Sequence, residues 1–181
     1  MPKRYLLLDR DGTLIVEQDN LHDPDGVVII PGAVEALRRF VDAGWGLAVV
    51  TNQSGVARKI FTLEQMHSVN ERVQNLLEEQ GIKIEKFYAC VHAPEISECT
   101  CRKPKPGLVQ QAVSDLGLEP NASMMVGDKG SDIGLGKNVG AVTVLVRTGY
   151  GQKEQHRSDL DPDYIVDSVA DLCPTMADSR I

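Results

Sequence analysis

Apolar runs of strand length alternate with helical patterns along this chain, and this alternation most limits its fold. The runs at residues 5–8, 47–50 and 123–126 each end directly before a polar motif. Strands that alternate with helices form a parallel sheet covered on both faces and joined by right-handed crossovers. We therefore predict an α/β fold whose polar motifs gather at the carboxyl ends of the strands, where open sheets of this kind bind their ligands.

Two helices in the first half of the chain are well marked. Residues 33–43 are predicted to be helical, with an apolar stripe that comprises Val34, Leu37, Phe40 and Val41. The next helix begins at Thr62, where Thr62 and Gln65 form a possible capping box, and Gly81 ends it. Its apolar face would comprise Leu63, Met66, Val69, Val73, Leu76 and Leu77.

The second half of the chain repeats the alternation with shorter elements. Residues 84–89 and 142–146 are predicted strands, residues 108–116 are a predicted helix, and residues 164–166 are a predicted edge strand before a C-terminal helix. A short helix between residues 126 and 142 is expected to be weak, because glycine is a poor helix former. A long irregular stretch at residues 17–30 separates the first strand from the first helix.

The bulk composition bounds the classes of function. With 181 residues, 42% of them hydrophobic, the chain suits a single domain over residues 1–181 with a core of ordinary size. A net charge of −7 argues against a general nucleic-acid binder, which needs a basic face. The first apolar run is too short for an export signal, and no run approaches the ~20 residues that span a bilayer. We expect a cytoplasmic monomer that binds neither nucleic acid nor membrane.

Asp9 and Asp11 stand two residues apart, directly after the first predicted strand. An ordinary aspartate, with a pKa of about 3.9, is charged at neutral pH, so Asp9 can attack phosphorus and form an aspartyl phosphate. Asp11 can protonate the leaving oxygen and later take a proton from the hydrolytic water. That role requires surroundings that keep a proton on Asp11 in the first step. The alternative is a plain surface turn, which the apolar strand and the downstream motifs make the weaker interpretation.

A further aspartate, Asp128, follows a glycine at the end of the predicted strand at residues 123–126. Two carboxylates ~4 Å apart repel by roughly 4 kcal/mol at an effective dielectric constant of about 20. Asp9, Asp128 and a phosphate group can therefore share one cleft only with a cation, and hard oxygen ligands favour Mg²⁺. Asp128 could instead cap the following helix, and Asp132 fits a metal site or a helix cap equally well.

Several polar residues are suited to bind a phosphoryl group. Thr51 can donate its hydroxyl beside the backbone amide of Asn52. Lys103 can balance charge that develops on the phosphoryl oxygens, and Arg102 can bind a second anionic group bidentately, unless the two form only a solvated basic pair. Lys129 fits a phosphate contact or a surface ion pair.

Three cysteines and a histidine lie within twelve residues, in the pattern Cys90-Val91-His92 and Cys99-Thr100-Cys101. Four soft ligands in a short loop are typical of a closed tetrahedral Zn²⁺ site with no open position for catalysis. Such a site would fix the loop that carries Arg102 and Lys103. Chance cysteines in a reduced core are the alternative, and they leave His92 unexplained.

Together these motifs resemble the haloacid-dehalogenase superfamily of phosphatases and, within it, the heptose 1,7-bisphosphate 7-phosphatase family. The match extends from about residue 5 to residue 149 and rests on Leu-Asp-Arg-Asp-Gly-Thr, Thr-Asn-Gln-Ser-Gly-Val-Ala-Arg, Cys-Arg-Lys-Pro, Gly-Asp-Lys and Val-Arg-Thr-Gly. The resemblance implies a Rossmann-like three-layer sandwich with a parallel sheet, no large cap domain and a zinc-stapled loop.

The resemblance also implies an activity. This is Mg²⁺-dependent hydrolysis of a phosphorylated sugar through an aspartyl phosphate, in the synthesis of nucleotide-heptose for surface polysaccharide. Asp9 would be the nucleophile and Asp11 the acid/base, with Mg²⁺ held by Asp9, the Asp11 backbone carbonyl and Asp128. The structural Zn²⁺ would be held by Cys90, His92, Cys99 and Cys101.

For the substrate, the resemblance implies that Thr51 and Lys103 steady the transferring group and that Arg102 helps to recognise the sugar. Further contacts would come from residues 17–20, which include Asn20, and from Gln53 and Ser54. The chain departs from the family pattern in having Lys59 where glycine is usual, and Gly134 and Gly136 where alanines are usual.

Other functions remain open at this stage. The spacing of the zinc loop approaches that of histidinol-phosphate phosphatases, the nearest enzymatic alternative. A signalling receiver also accepts phosphate on an aspartate in a parallel sheet, but it preserves its acyl phosphate, whereas Asp11 would hasten hydrolysis. A catalytically inactive zinc-stapled binding module is the third alternative.

Overall fold

The computed structural model describes residues 3–180 and contains a six-stranded parallel sheet in the order β3-β2-β1-β4-β5-β6. The predicted parallel α/β fold is therefore confirmed. The strands are β1 (Tyr5–Leu8), β2 (Gly46–Asn52), β3 (Lys86–Cys90), β4 (Met124–Gly127), β5 (Val142–Val146) and β6 (Tyr164–Val166).

Five α-helices connect or follow these strands within the described residues. They are α1 (Ala33–Asp42), α2 (Leu63–Glu78), α3 (Gly107–Leu116), α4 (Gly130–Val139) and the single turn α5 (Gly151–Glu154). Short 3₁₀ helices lie at Pro24–Gly26, Pro120–Ala122, Val169–Asp171 and Pro174–Arg180. Over residues 3–180, no helix combines the length and the apolar character needed to cross a membrane.

The hydrophobic core lies on both faces of the sheet. In the central strand β1, Leu6 and Leu8 pack into one buried cluster, and Tyr5 and Leu7 pack into the other. Successive side chains of a strand point to opposite faces. A strand that is covered on both sides therefore reads as a continuous apolar run, which is why the run at residues 5–8 predicted β1 without any alternation.

Helix boundaries were predicted better than helix faces. The capping box of α2 is confirmed, because Thr62 Oγ1 accepts from Gln65 N–H (3.2 Å) and Gln65 Oε1 accepts from Thr62 N–H (2.8 Å). Val41 and Leu63 are 41% and 43% exposed, so their assignment to the core was wrong. The buried residues of α1 are Ala33, Ala36, Leu37 and Phe40, so the buried face is turned towards the two alanines.

Two local differences concern the second half of the chain. The strand predicted at residues 84–89 lies at Lys86–Cys90, so it begins two residues later. Gly136 in α4 faces β5, where an added Cβ would lie 2.4 Å from Thr143 Cγ2. The glycine thus lets α4 pack close to the sheet. This close packing explains why a poor helix former occupies the position.

Candidate active site

The two predicted catalytic aspartates and the predicted substrate-binding residues meet in one cleft at the carboxyl ends of the strands. The order of the sheet reverses between β1 and β4, which is where ligands bind in open sheets. A cavity of about 370 Å³ lies there, and Asp9 and Asp11 line it. All eight residues predicted to contact phosphate or substrate line the same cavity, namely Asn20, Thr51, Asn52, Gln53, Ser54, Arg102, Lys103 and Lys129.

Asp9 is placed directly after β1 and is nearly buried, with 4% of its surface exposed. Its backbone N–H donates to Val126 O in β4 (2.9 Å), and its Oδ1 accepts from Arg10 N–H (2.8 Å). Burial on its own raises the pKa of Asp9, but the ammonium groups of Lys103 and Lys129 more than offset this and hold the pKa below its usual range. Asp9 is therefore a charged carboxylate, the form a nucleophile requires.

Lys103 reaches this carboxylate from the loop before α3. Its buried Nζ lies 2.9 Å from Asp9 Oδ1 and 2.7 Å from Asp132 Oδ1, and it donates to Val50 O (2.7 Å). Burial alone lowers the pKa of Lys103, and the carboxylates of Asp132 and Asp9 outweigh this and raise it. Lys103 therefore stays charged beside the nucleophile.

The side chain of Asn52 holds the backbone of Lys103 in place. Asn52 Oδ1 accepts from Lys103 N–H (3.0 Å), and Asn52 Nδ2 donates to Lys103 O (3.2 Å). The sequence had suggested only a backbone contact from Asn52 to phosphate. The end of β2 thus fixes the lysine loop through a reciprocal pair of hydrogen bonds.

Asp9, Asp128 and Asp132 form a buried acidic cluster, in which one oxygen of each lies within 4.8 Å of the others. Burial first, and the charge of Asp9 second, raise the pKa of Asp128 to about 7. Burial and Asp9 also raise the pKa of Asp132 to about 6, against the opposing effect of Lys103. The three carboxylates offer hard oxygen ligands, and the neighbouring lysines supply too little positive charge to balance them. Such a cluster fits a small divalent cation such as Mg²⁺.

Two glycines make room for Asp128, and two hydrogen-bonding or ionic partners hold Asp132. An added Cβ at Gly12 or Gly149 would lie 2.3 or 2.2 Å from Asp128 Oδ2, and both residues have a positive φ, so only glycines suit this close packing. Asp132 both caps α4, by accepting from Lys129 N–H (3.0 Å), and pairs with Lys103. The helix-cap role is therefore confirmed, and Asp132 also belongs to the acidic cluster, whereas its part in a metal site stays a prediction.

Asp11 is oriented by three nitrogens that belong to two residues. Arg10 Nε and Nη2 donate to Asp11 Oδ2 and Oδ1 (3.0 and 3.2 Å), and Gln53 Nε2 donates to Oδ2 (2.8 Å). Gln53 Nε2 also donates to Thr51 Oγ1 (2.9 Å). The acid/base candidate and the threonine hydroxyl thus belong to one hydrogen-bonded group. That Asp11 carries a proton in the first step stays a prediction.

Lys129 lines the cavity and forms ion pairs, while its contact with phosphate stays a prediction. Its Nζ lies 3.3 Å from Glu17 Oε2 and 3.4 Å from Asp128 Oδ1, within reach of the cavity. Tyr150, which the sequence did not single out, packs its ring 4.6 Å from the same nitrogen. Tyr150 also donates its N–H to Asp128 (2.8 Å) and its hydroxyl to Asp19 (2.9 Å). It follows the Val-Arg-Thr-Gly motif, the one signal that pointed to this loop.

The four predicted zinc ligands come together in the structure. Cys90 Sγ lies 3.3 Å from Cys101 Sγ and 3.8 Å from Cys99 Sγ, and His92 Nδ1 lies 3.6 and 3.2 Å from Cys90 Sγ and Cys101 Sγ. Tetrahedral Zn²⁺, with Zn–S bonds of about 2.3 Å, spaces its sulfur ligands ~3.8 Å apart. The cluster therefore fits Zn²⁺ in both ligand type and spacing.

Two arginines lie along the cleft near this cluster. Arg102 follows Cys101 and donates Nη1 to His92 O (3.3 Å). Arg58, which was part of a quoted motif but had no assigned role, lines the cavity and pairs with Glu95 of the zinc loop. Two guanidinium groups from different segments of the chain therefore line the cavity, and one of them is paired with the zinc loop.

The chain is also similar to known proteins. Residues 100–172 match the HAD-hydrolase-like family. The chain is 39% identical over 176 residues to D-glycero-beta-D-manno-heptose-1,7-bisphosphate 7-phosphatase of Pasteurella multocida, covering 94% of this chain and 95% of the relative. It is 40% identical to the Yersinia pestis enzyme of the same name, with 92% of each chain covered.

Solved structures show the same similarity. The D,D-heptose 1,7-bisphosphate phosphatase of B. bronchiseptica, complexed with magnesium and phosphate, superposes with a TM-score of 0.84 at 29% identity, covering 93% of this chain and 94% of that one. The corresponding enzyme of Burkholderia thailandensis superposes with a TM-score of 0.70 at 25% identity, with 93% and 94% covered.

Proposed function

Since the chain belongs to the D-glycero-D-manno-heptose 1,7-bisphosphate 7-phosphatase family of HAD-like hydrolases, we propose that it removes the 7-phosphate of that sugar bisphosphate. The observation that carries the proposal is the charged Asp9, paired with buried Lys103 and placed beside a buried acidic cluster at one end of the cleft. The product, a heptose 1-phosphate, would be ready for nucleotide activation.

The proposed reaction has two steps. An oxygen of Asp9 attacks phosphorus, the bond from phosphorus to the sugar oxygen breaks, and that oxygen leaves with the proton of Asp11. A water molecule then attacks the aspartyl phosphate and gives one proton to Asp11, which releases phosphate and restores both aspartates. Lys103 and Thr51 would stabilise the charge on the phosphoryl oxygens during both steps.

Mg²⁺ would be held by Asp9, the backbone carbonyl of Asp11 and Asp128. Bound there, it would neutralise the facing anionic groups and allow the phosphate to approach the nucleophile. The buried and undercompensated carboxylates support this assignment. Asp132 would assist indirectly, because its pairing with Lys103 fixes the ammonium group beside Asp9.

Zn²⁺ would be held by Cys90, His92, Cys99 and Cys101 as a structural ion. Four protein ligands leave no open position for catalysis. The last ligand immediately precedes Arg102 and Lys103, so the ion would fix the loop that carries both residues into the cleft. The second anionic group of a bisphosphate substrate would lie on this side, near Arg102 and Arg58, since guanidinium groups bind phosphates bidentately.

The cationic side of the cleft favours a bisphosphate over histidinol phosphate. Histidinol phosphate carries an ammonium group away from its phosphate and offers no second anionic group for Arg102 to bind. The purified protein should release phosphate from heptose 1,7-bisphosphate with a kcat/KM at least tenfold above that for histidinol phosphate. A preference for histidinol phosphate would overturn the proposed substrate.

The chemistry is tested separately with Asp9→Asn, which should abolish turnover of every phosphate ester. Asp42→Asn is the matched control, because Asp42 is an exposed carboxylate at the end of α1 that does not line the cavity. Full activity of Asp9→Asn would refute the aspartyl-phosphate mechanism. If the wild-type protein became phosphorylated once and did not release phosphate, the result would instead indicate a receiver-like module.

A further inference from the structure

Arg10, the residue between the two catalytic aspartates, is itself buried. It is 1% exposed, and by volume it is the largest fully buried side chain among the described residues. The reaction proposed above gives it no task. A guanidinium group is costly to bury unless its donors are satisfied, so its partners indicate what it does.

Three nitrogens of Arg10 donate to two residues. Nε and Nη2 bind the two carboxylate oxygens of Asp11 (3.0 and 3.2 Å). Nη1 donates to Asn70 Oδ1 (2.8 Å). The flat guanidinium group therefore connects the acid/base candidate to a side chain of α2, sixty positions further along the sequence.

Asn70 is a polar residue on an apolar helix face. The buried positions of α2 around it are Met66, Val69, Val73 and Leu77, and Asn70 itself is 7% exposed. A buried amide in such a face requires a hydrogen-bonding partner, and Arg10 Nη1 supplies one. This contact accounts for an asparagine where helical periodicity would place an apolar side chain.

We infer that Arg10 and Asn70 are positioning residues that set the orientation of the Asp11 carboxyl group. Asn70 fixes Nη1, and because guanidinium is planar and rigid, Nε and Nη2 are then fixed as well. Gln53 Nε2 also donates to Asp11 Oδ2 and so adds a second residue that restrains the carboxyl group. The inference rests on the proposed function only in taking Asp11 as the acid that protonates the leaving oxygen.

Orientation matters most where the leaving group needs a proton. A sugar alkoxide is a poor leaving group and depends on an acid placed within hydrogen-bond distance. 4-Nitrophenolate is stable as an anion and leaves without one. A disoriented Asp11 should therefore slow the first step for an alkyl phosphate far more than for 4-nitrophenyl phosphate, whereas general damage to the fold would slow both alike.

The test compares Asn70→Leu, which removes the acceptor and keeps the same number and branching of side-chain heavy atoms, with Asn70→Asp, which keeps an acceptor oxygen on a side chain of the same shape. The readout is kcat/KM, which reports phosphoryl transfer to Asp9, measured on 4-nitrophenyl phosphate and on the sugar phosphate that the wild type uses best. The ratio of the two values does not depend on the fraction of folded enzyme, so partial unfolding cannot imitate the effect.

For Asn70→Leu, we expect kcat/KM to fall about tenfold to a hundredfold on the sugar phosphate and less than about threefold on 4-nitrophenyl phosphate, within the usual range of general acid catalysis. Asn70→Asp should keep the ratio of the two substrates within about threefold of wild type. Equal losses on both substrates, no loss on either, or an Asp variant that behaves like the Leu variant would each overturn the inference. None of these outcomes bears on the proposed function, which Asp9→Asn and the substrate comparison test independently.

Discussion

Replacing Lys103 with methionine should both destabilise the protein and slow catalysis. Methionine keeps much of the stem and removes an ammonium group that lies 2.9 Å from Asp9 Oδ1 and 2.7 Å from Asp132 Oδ1. Breaking a buried ion pair costs about 3–5 kcal/mol, because the remaining charge is left without a partner. We expect a loss of roughly 3 kcal/mol in the free energy of unfolding without metal. We also expect a fall in kcat of about 10²–10³-fold, typical for losing one donor to a developing anion.

A double-mutant cycle with Asp132→Asn separates the ion pair from general disruption. Asparagine keeps an oxygen that can accept from Lys129 N–H and so preserves the cap of α4, but it removes the charge that faces Lys103. If the two charges compensate each other, the double variant should be more stable than the sum of the single losses predicts, by about 2 kcal/mol. Urea denaturation of the four proteins in EDTA gives this coupling free energy.

The surface pair Lys86–Asp115 provides the matched control. Its side chains are 46% and 31% exposed, so the same substitutions there should show a coupling below about 1 kcal/mol. Additive losses at Lys103 and Asp132, within about 0.5 kcal/mol, would show that the buried contact is not an energetic pair. An unchanged kcat in Lys103→Met would refute the role of Lys103 beside the phosphoryl group.

Three other consequences can be measured. Cys101→Ala should lower the zinc content from about one ion per chain to near zero and lower Tm, because binding to a structural zinc site contributes to folding; an unchanged metal content by mass spectrometry would contradict the site. Raised pKa values at Asp128 and Asp132, about 7 and about 6, mean that the folded protein binds more protons than the unfolded chain. The free energy of unfolding in EDTA should therefore fall as pH rises from about 4 to 7. The increase in Tm that Mg²⁺ causes should grow over the same range. An increase in Tm that does not depend on pH would argue against metal binding at these carboxylates. Lys59 has a φ of 59°, so Lys59→Gly should raise the free energy of unfolding by up to about 1 kcal/mol, while Lys83→Gly, at an exposed position with an ordinary φ, should lower it in the same denaturation experiment.

The parts of the fold that the sequence predicted share a physical cause. A strand buried on both faces needs an uninterrupted apolar run, and a ligand site in a parallel sheet needs polar residues directly after such runs. Residues 5–8 followed by Asp9, and residues 123–126 followed by Gly127 and Asp128, satisfy both conditions. The cluster of three cysteines and a histidine could be predicted equally well, since its four side chains lie in one short loop.

The features that the sequence did not predict depend on which distant side chains meet. Periodicity alone assigned Leu63 to the core, although this first residue of α2 is 43% exposed and burial begins at Met66. Asn70 looked like an ordinary helix residue, because only the folded chain brings it to Arg10. Tyr150 was missed because its role depends on Asp128 and Lys129 lying beside it. In each case the missing information is a contact between elements far apart in sequence.

These contacts also explain how an acidic cluster can persist in the interior of a negatively charged protein. Lys103 compensates two of the carboxylates, and the loop that carries it is held at one end by Asn52 and, under the proposed assignment, at the other by Zn²⁺ through Cys101. Removing zinc should therefore weaken the pairing of Lys103 with Asp9 without touching a catalytic residue. In zinc-depleted protein that remains folded, kcat should fall towards that of Lys103→Met. In Lys103→Met, zinc depletion should lower kcat little further. If the two losses in kcat instead multiplied in full, the loop and the lysine would act separately.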